Sequence, residues 1–102
     1  MIPKVFELTK TNKHIIEVVL EDEQARLTHV VLEPKQGFDA HKSDANLYLT
    51  VLKGKITVKV EDNEPVKYEA GKVLNVPKGI LMKLDNLEAE LLEIIVFKSP
   101  IK

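Results

Sequence analysis

No cysteine occurs among the 102 residues. That excludes disulfides, thiolate nucleophiles and Cys-ligated zinc or iron–sulfur centres. Only four glycines are present, and no Gly-rich phosphate loop can be assembled from them. No stretch approaches the ~20 apolar residues of a spanning helix, and residues 1–10 lack the apolar core of a signal peptide. Charge of one sign is missing too: 15 basic side chains face 16 acidic ones, and the lysines are dispersed. The balance gives no support to nucleic-acid or anionic-membrane binding. These absences together point to a soluble, cytoplasmic protein.

What remains is an ordinary globular composition, 44% apolar, on a chain long enough for one domain over residues 1–102 but not comfortably for two. At this length folding buries roughly two-thirds of the unfolded surface, so one core suffices without staples. Val, Ile, Leu and Thr come in short runs with turn residues between them. Strands are predicted at residues 5–8, 14–20, 25–33, 47–52, 55–60, 66–69, 73–76, 80–84 and 89–97. Residues 55–60 alternate cleanly, which predicts Ile56, Val58 and Val60 inward and Lys55, Thr57 and Lys59 toward water. Residues 84–95 are the best helical candidate, but the run Ile94-Ile95-Val96-Phe97 is strongly β-prone and favours a strand. Strands spaced about every 8–12 residues suggest an all-β sandwich or barrel. Residues 91–97 are apolar apart from Glu93, the pattern of a strand covered on both faces. One cover can be another subunit, which gives an expectation of a homodimer; packing within the monomer explains the pattern equally well.

Two segments carry more. Residues 71–86 place Gly71, Pro77, Gly79, Met82 and Asn86 at fixed intervals, and residues 34–54 run from Pro34 through His41 to Gly54. The glycines and the proline turn the chain tightly and set the register of the following strand. This order resembles the cupin family, whose second motif reads Gly-x5-Pro-x-Gly-x2-His-x3-Asn and whose first reads Gly-x5-His-x-His-x(3-4)-Glu-x6-Gly. Every framework position of the second motif fits, with Met82 in place of its histidine. Anchored on Gly54, the first motif puts its ligand positions at His41, Ser43 and Leu47; its opening glycine falls on Lys35. The resemblance implies a double-stranded β-helix, or jelly-roll barrel, with a pocket inside.

The four positions where that family holds a metal are thus His41, Ser43, Leu47 and Met82. A divalent ion needs three or four converging N or O donors. His41 supplies one, Ser43 is a poor donor, Leu47 cannot ligate, and Met82 offers a soft thioether. No metal and no other cofactor is expected. Restoring the set with Ser43→His, Leu47→Glu and Met82→His is expected to create metal binding. His29 and His14 are the two other histidines available to replace lost ligands; His29 reads better as a surface or hydrogen-bonded sheet residue and His14 as solvated. If Leu47 and Met82 point inward, parity carries Leu49, Val51, Ile80 and Leu84 with them. The interior is then mostly apolar with a polar end at His41 and Ser43. It is either a filled core or a small cavity. The expected pocket residues are His41, Ser43, Leu47, Leu49 and Met82.

Two functions from different classes fit. One is a metal-free module that binds a small, partly apolar molecule, or serves a regulatory role. The other is a metal-independent acid–base enzyme, of the epimerase or isomerase type, with His41 as base and Asp39 or Asp44 orienting it. Tyr48, of opposite parity to Leu47, is the poorer candidate acid. A metal enzyme with a displaced ligand set ranks behind both. No Ser–His–Asp context and no calcium loop is legible.

Overall fold

A computed structural model describes residues 2–100. Among them the turn residues divide the chain into nine strands and no helix. They are β1 (Ile15–Glu21), β2 (Arg26–Leu32), β3 (His41–Lys42), β4 (Leu47–Lys53), β5 (Lys55–Val60), β6 (Val66–Glu69), β7 (Val73–Val76), β8 (Leu81–Asp85) and β9 (Leu92–Lys98). Every ladder is antiparallel, and the strands form two sheets in the orders β1-β2-β9-β4-β7 and β3-β8-β5-β6. The all-β jelly-roll expectation holds. The helical alternative for residues 84–95 does not: β9 pairs with β2 on one side and β4 on the other, and only its extended backbone satisfies both ladders.

The core lies between the sheets. Val30, Leu32, Leu47, Leu49, Val51, Leu92 and Ile94 face Ile56, Val58, Met82 and Leu84 across it, all buried. Two expectations fail at the margins. Residues 5–8 form no strand; Val5 and Phe6 are exposed, because no neighbouring strand offers them a ladder. Thr57 does not face water. It is 5% exposed, set between Lys67 and Asp85 on the flanking strands, and its hydroxyl has no partner among the described residues. Lys67 is drawn down to Glu88 at 2.6 Å, so its stem shelters the threonine that strict alternation would leave wet.

Gly54 shows why the turn residues matter. Its φ is 86°, and a Cβ there would collide with the carbonyl oxygen of Leu91. Gly71 has φ 95° but open space around it. Gly54→Ala is therefore expected to cost about 3 kcal/mol, strain plus clash, against about 1 kcal/mol for Gly71→Ala. Urea midpoints of the two variants check the difference.

Asn86 closes the barrel's end. Fully buried, it donates from Nδ2 to the carbonyls of Leu32 (3.1 Å) and Glu90 (2.8 Å), and its Oδ1 accepts from the Glu88 amide (3.1 Å). One side chain thus fixes the start of the loop into β9 against the end of β2.

Candidate functional site

The short strand β3 explains where the barrel opens. It pairs with β8 over only two residues, His41 opposite Met82 and Lys42 opposite Leu81. Across from it, β1 and β2 are seven residues each. Ile16 and Val18 of β1 share the inner side with Val30 and Thr28, yet they are 51% and 55% exposed because nothing long enough lies opposite. The gap between the sheets is a pocket of about 140 Å³.

Its apolar lining comes from Ile16, Val30, Phe38, Leu47, Met82, Leu84 and Val96. Its polar lining is Thr28, His41 and Lys98. His41, Leu47 and Met82, three of the positions read from the cupin-like motifs, therefore meet at one place. The fourth motif position, Ser43, and the remaining expected pocket residue, Leu49, sit elsewhere. Leu49 is buried deeper in the core, flanked in register by Leu74 and Val96. Ser43 is buried in the turn after β3, where its Oγ accepts from the Ala45 amide at 3.3 Å and its carbonyl accepts from Gly79 at 2.9 Å. The choice between a filled interior and a cavity resolves as both. Around Leu49, Ile56, Leu92 and Ile94 the barrel is packed, and near Leu47 and Met82 it is open.

His41 stands on the rim and is exposed. Its Nδ1 lies 3.0 Å from the backbone carbonyl of Asp39. That bond places the proton on Nδ1 and leaves Nε2 as an acceptor. Asp39 therefore orients the ring through its main chain, not its carboxylate. Lys98 was not legible as a pocket residue from motifs, but a signal existed: Leu92, Ile94 and Val96 face inward, and the period of two carries Lys98 with them. Thr28 follows likewise from Val30. Four larger depressions exist among the described residues: about 520 Å³ between residues 7–10, Leu52 and Glu93, about 350 Å³ beside Gly54, Lys55, Glu69, Glu88 and Glu90, about 220 Å³ beside Lys59, Glu61 and Lys83, and about 190 Å³ beside Lys55, Lys67, Glu69 and Lys72. Each has two or more charged side chains in its lining and lies on the surface, so the mostly apolar barrel pocket is the better ligand site.

The remaining histidines stay outside the barrel. His14 is exposed, with Nδ1 2.7 Å from Gln36 Oε1. His29 is fully buried on the outer face of the five-stranded sheet, its Nδ1 2.7 Å from Glu17 and its Nε2 2.7 Å from Glu93. Glu17 is bonded further to the amide and hydroxyl of Thr9, at 2.9 and 2.7 Å. Glu93, the one charge interrupting the apolar run of β9, is there to meet His29. The bond from His29, with Thr9 second, holds the Glu17 carboxyl down from 4.5 to about 2. A depressed carboxyl stabilises the fold above its unfolded value and loses that contribution as pH falls toward its folded value. Between pH 4.5 and about 2 the wild type is thus expected to lose stability more steeply than Glu17→Gln, which carries no proton to take up; melting temperatures across that window measure it.

A metal does not fit the barrel site. Of its four family positions, Leu47 and Met82 carry no hard donor and Ser43 is engaged in a turn, so His41 stands alone. Among the described residues no group of three or more His, Cys, Asp or Glu is placed to hold an ion, and no helix is long and apolar enough to cross a membrane.

A double-stranded β-helix with a small, mostly apolar pocket at its open end defines a class of fold rather than one chemistry. The sequence matches the cupin domain family over residues 28–98, and the chain belongs to that family. It is 32% identical over 101 residues to an uncharacterized protein of Methanocaldococcus jannaschii, covering 98% of this chain and 87% of that one. The crystal structure of an RmlC-like cupin family protein from the same organism, described as a double-stranded β-helix, superposes with a TM-score of 0.93 at 31% identity, over 98% of this chain and 93% of that one. A cupin superfamily protein of Desulfitobacterium hafniense shares the fold at TM-score 0.78 and 8% identity, over 92% of this chain and 84% of that one.

Proposed function

We propose that this cupin is a metal-free binding or regulatory module that holds a small, partly apolar molecule at the open end of its barrel. The convergence of Leu47 and Met82 with His41 on one pocket carries the reading, since apolar side chains stand where a metal would need donors. An acid–base enzyme would need further ionisable groups at the same point. Lys98 is the other ionisable lining residue, and Asp39 offers His41 only a carbonyl, so binding accounts better for the lining. Two measurements test the proposal. Elemental analysis of the purified protein should find no stoichiometric transition metal; one equivalent that disappears in His41→Ala sinks it. A fragment screen by two-dimensional NMR should shift the Val30, Met82 and Val96 resonances together, and a screen that leaves them all still counts equally against it.

The homodimer belongs to the same proposal, with a second copy of the chain on the outer face of the five-stranded sheet. Tyr48, Leu52 and Val73 are exposed there, and Tyr48 lies 6.4 Å from the ring of Phe97. The nearby Glu93 is already engaged by His29, leaving an aromatic and aliphatic surface suited to its own copy. Light scattering should give twice the chain mass for the wild type and the chain mass for Tyr48→Lys.

A further inference from the structure

The polar part of the pocket is one-sided in charge. Thr28 on β2 brings a hydroxyl, His41 on β3 an imidazole, and Lys98 on β9 an ammonium; no carboxylate lines the space. Lys98 makes no ion pair or side-chain hydrogen bond among the described residues, whereas the partly covered Lys83 is paired with Asp85 at 2.9 Å. It arrives by the inward parity of β9, beside Leu47 and Arg26 in register, while Arg26 itself is taken by Glu21. An unpaired ammonium at the edge of an apolar pocket retains an unsatisfied preference for an anion. The His41 ring, held by Asp39, presents Nε2 as an acceptor, so the donors for an anion here are Lys98 and Thr28.

We infer that the pocket takes a small organic monocarboxylate with a short aliphatic tail, the carboxylate at Lys98 with the Thr28 hydroxyl beside it, and the tail against Val30, Leu47, Met82 and Val96. The inference rests on the binding reading above and specifies its ligand class. Volume limits the tail. An apolar cavity of about 150 Å³ accommodates benzene, so a pocket of about 140 Å³ open on one side suits roughly six to eight non-hydrogen atoms. A single carboxylate suits one ammonium better than a phosphate or dicarboxylate, whose second charge would have no cation to meet.

Hexanoate and its neutral counterpart hexanamide are the probes, because they share a chain and differ in the head group's charge. Binding to the full chain is followed by NMR titration and calorimetry at pH 7.5. Hexanoate should shift the Val30, Met82 and Val96 resonances and bind at least tenfold more tightly than hexanamide. Lys98→Met should remove that preference while Lys98→Arg retains it. Leu47→Phe, which fills the pocket, should abolish binding of both probes. If hexanamide binds in the pocket as well as hexanoate does, the anion assignment is overturned and the binding reading stands. If neither probe, nor any fragment of the screen, perturbs the pocket, both are overturned. Hexanoate binding that survives Leu47→Phe places the anion at a surface lysine and also overturns the inference. The comparison of the two probes on the wild-type protein decides the matter even if a variant fails to fold.

Discussion

The double variant Leu47→Glu, Met82→His should bind one divalent transition-metal ion per chain, with an affinity on the order of a thousandfold or more above the single-imidazole binding of the wild type. His41, Leu47 and Met82 line one pocket from β3, β4 and β8, and His41 and Met82 are direct cross-strand neighbours. Two imidazoles and a carboxylate so placed form the ligand set of an open-sided octahedral site. Ser43→His, which motif spacing alone would add, is left out because that position is spent on the turn to Ala45. Before loading, the variant should melt below the wild type, since a carboxylate has entered a largely apolar space. Added cobalt(II) or zinc should raise its melting temperature, as any ligand selective for the folded state does. Visible absorption of the cobalt form reads the ligand set, and His41→Ala in the same background should remove it. A double variant that folds and binds no more metal than the wild type would mean that the three side chains do not converge.

His29→Leu should be the most damaging conservative-volume change on the outer face, costing about 3 kcal/mol. On a domain of this size that is roughly 10–20 °C in melting temperature. His29 is fully buried, with each ring nitrogen 2.7 Å from a carboxylate oxygen. Leucine would fill its volume but leave Glu93 without its donor and Glu17 with only those of Thr9, two partly exposed carboxylates with nothing between them. It would also remove the largest influence holding down the Glu17 carboxyl, so the acid-dependent loss of stability should flatten. His29→Gln retains a donor and should recover about half of the loss. Thermal melts at neutral pH and near pH 3 measure both effects. A His29→Leu protein that melts with the wild type would show that water satisfies the carboxylates as well as the imidazole does.

Much of the barrel was legible because its determinants are local. Period-two alternation, Gly54, Gly71 and Pro77 specify strands and turns within a few residues of themselves, and eight of the nine expected strands exist with ends displaced by three residues at most. Residues 5–8 failed because strand propensity does not supply a partner strand. Thr57 failed because its cover comes from Lys67, ten positions away in sequence and adjacent only across a ladder. The site divides the same way. His41 and Met82 followed from motif spacing, but Ser43 occupies a ligand position in sequence and a turn position in space. Lys98 and Thr28 belong to no motif and are recruited by strand parity and register. The Glu17–His29–Glu93 cluster joins residues up to 64 positions apart, beyond the reach of any local pattern.

The two-residue length of β3 sets the gauge of the barrel's aperture. The ladders that hold the core never pass through that edge, whereas Ile16 and Val18 hang over it unopposed. Residues 35–38 are hydrogen-bonded to Leu84, Asp85 and Asn86, so it is length changes confined to Asp39 and Ala40 that would widen or narrow the entrance while the packed layers beneath stayed in register. Selectivity for cargo size can thus drift independently of thermal robustness, and a designer seeking a new guest should begin by cutting and splicing that rim.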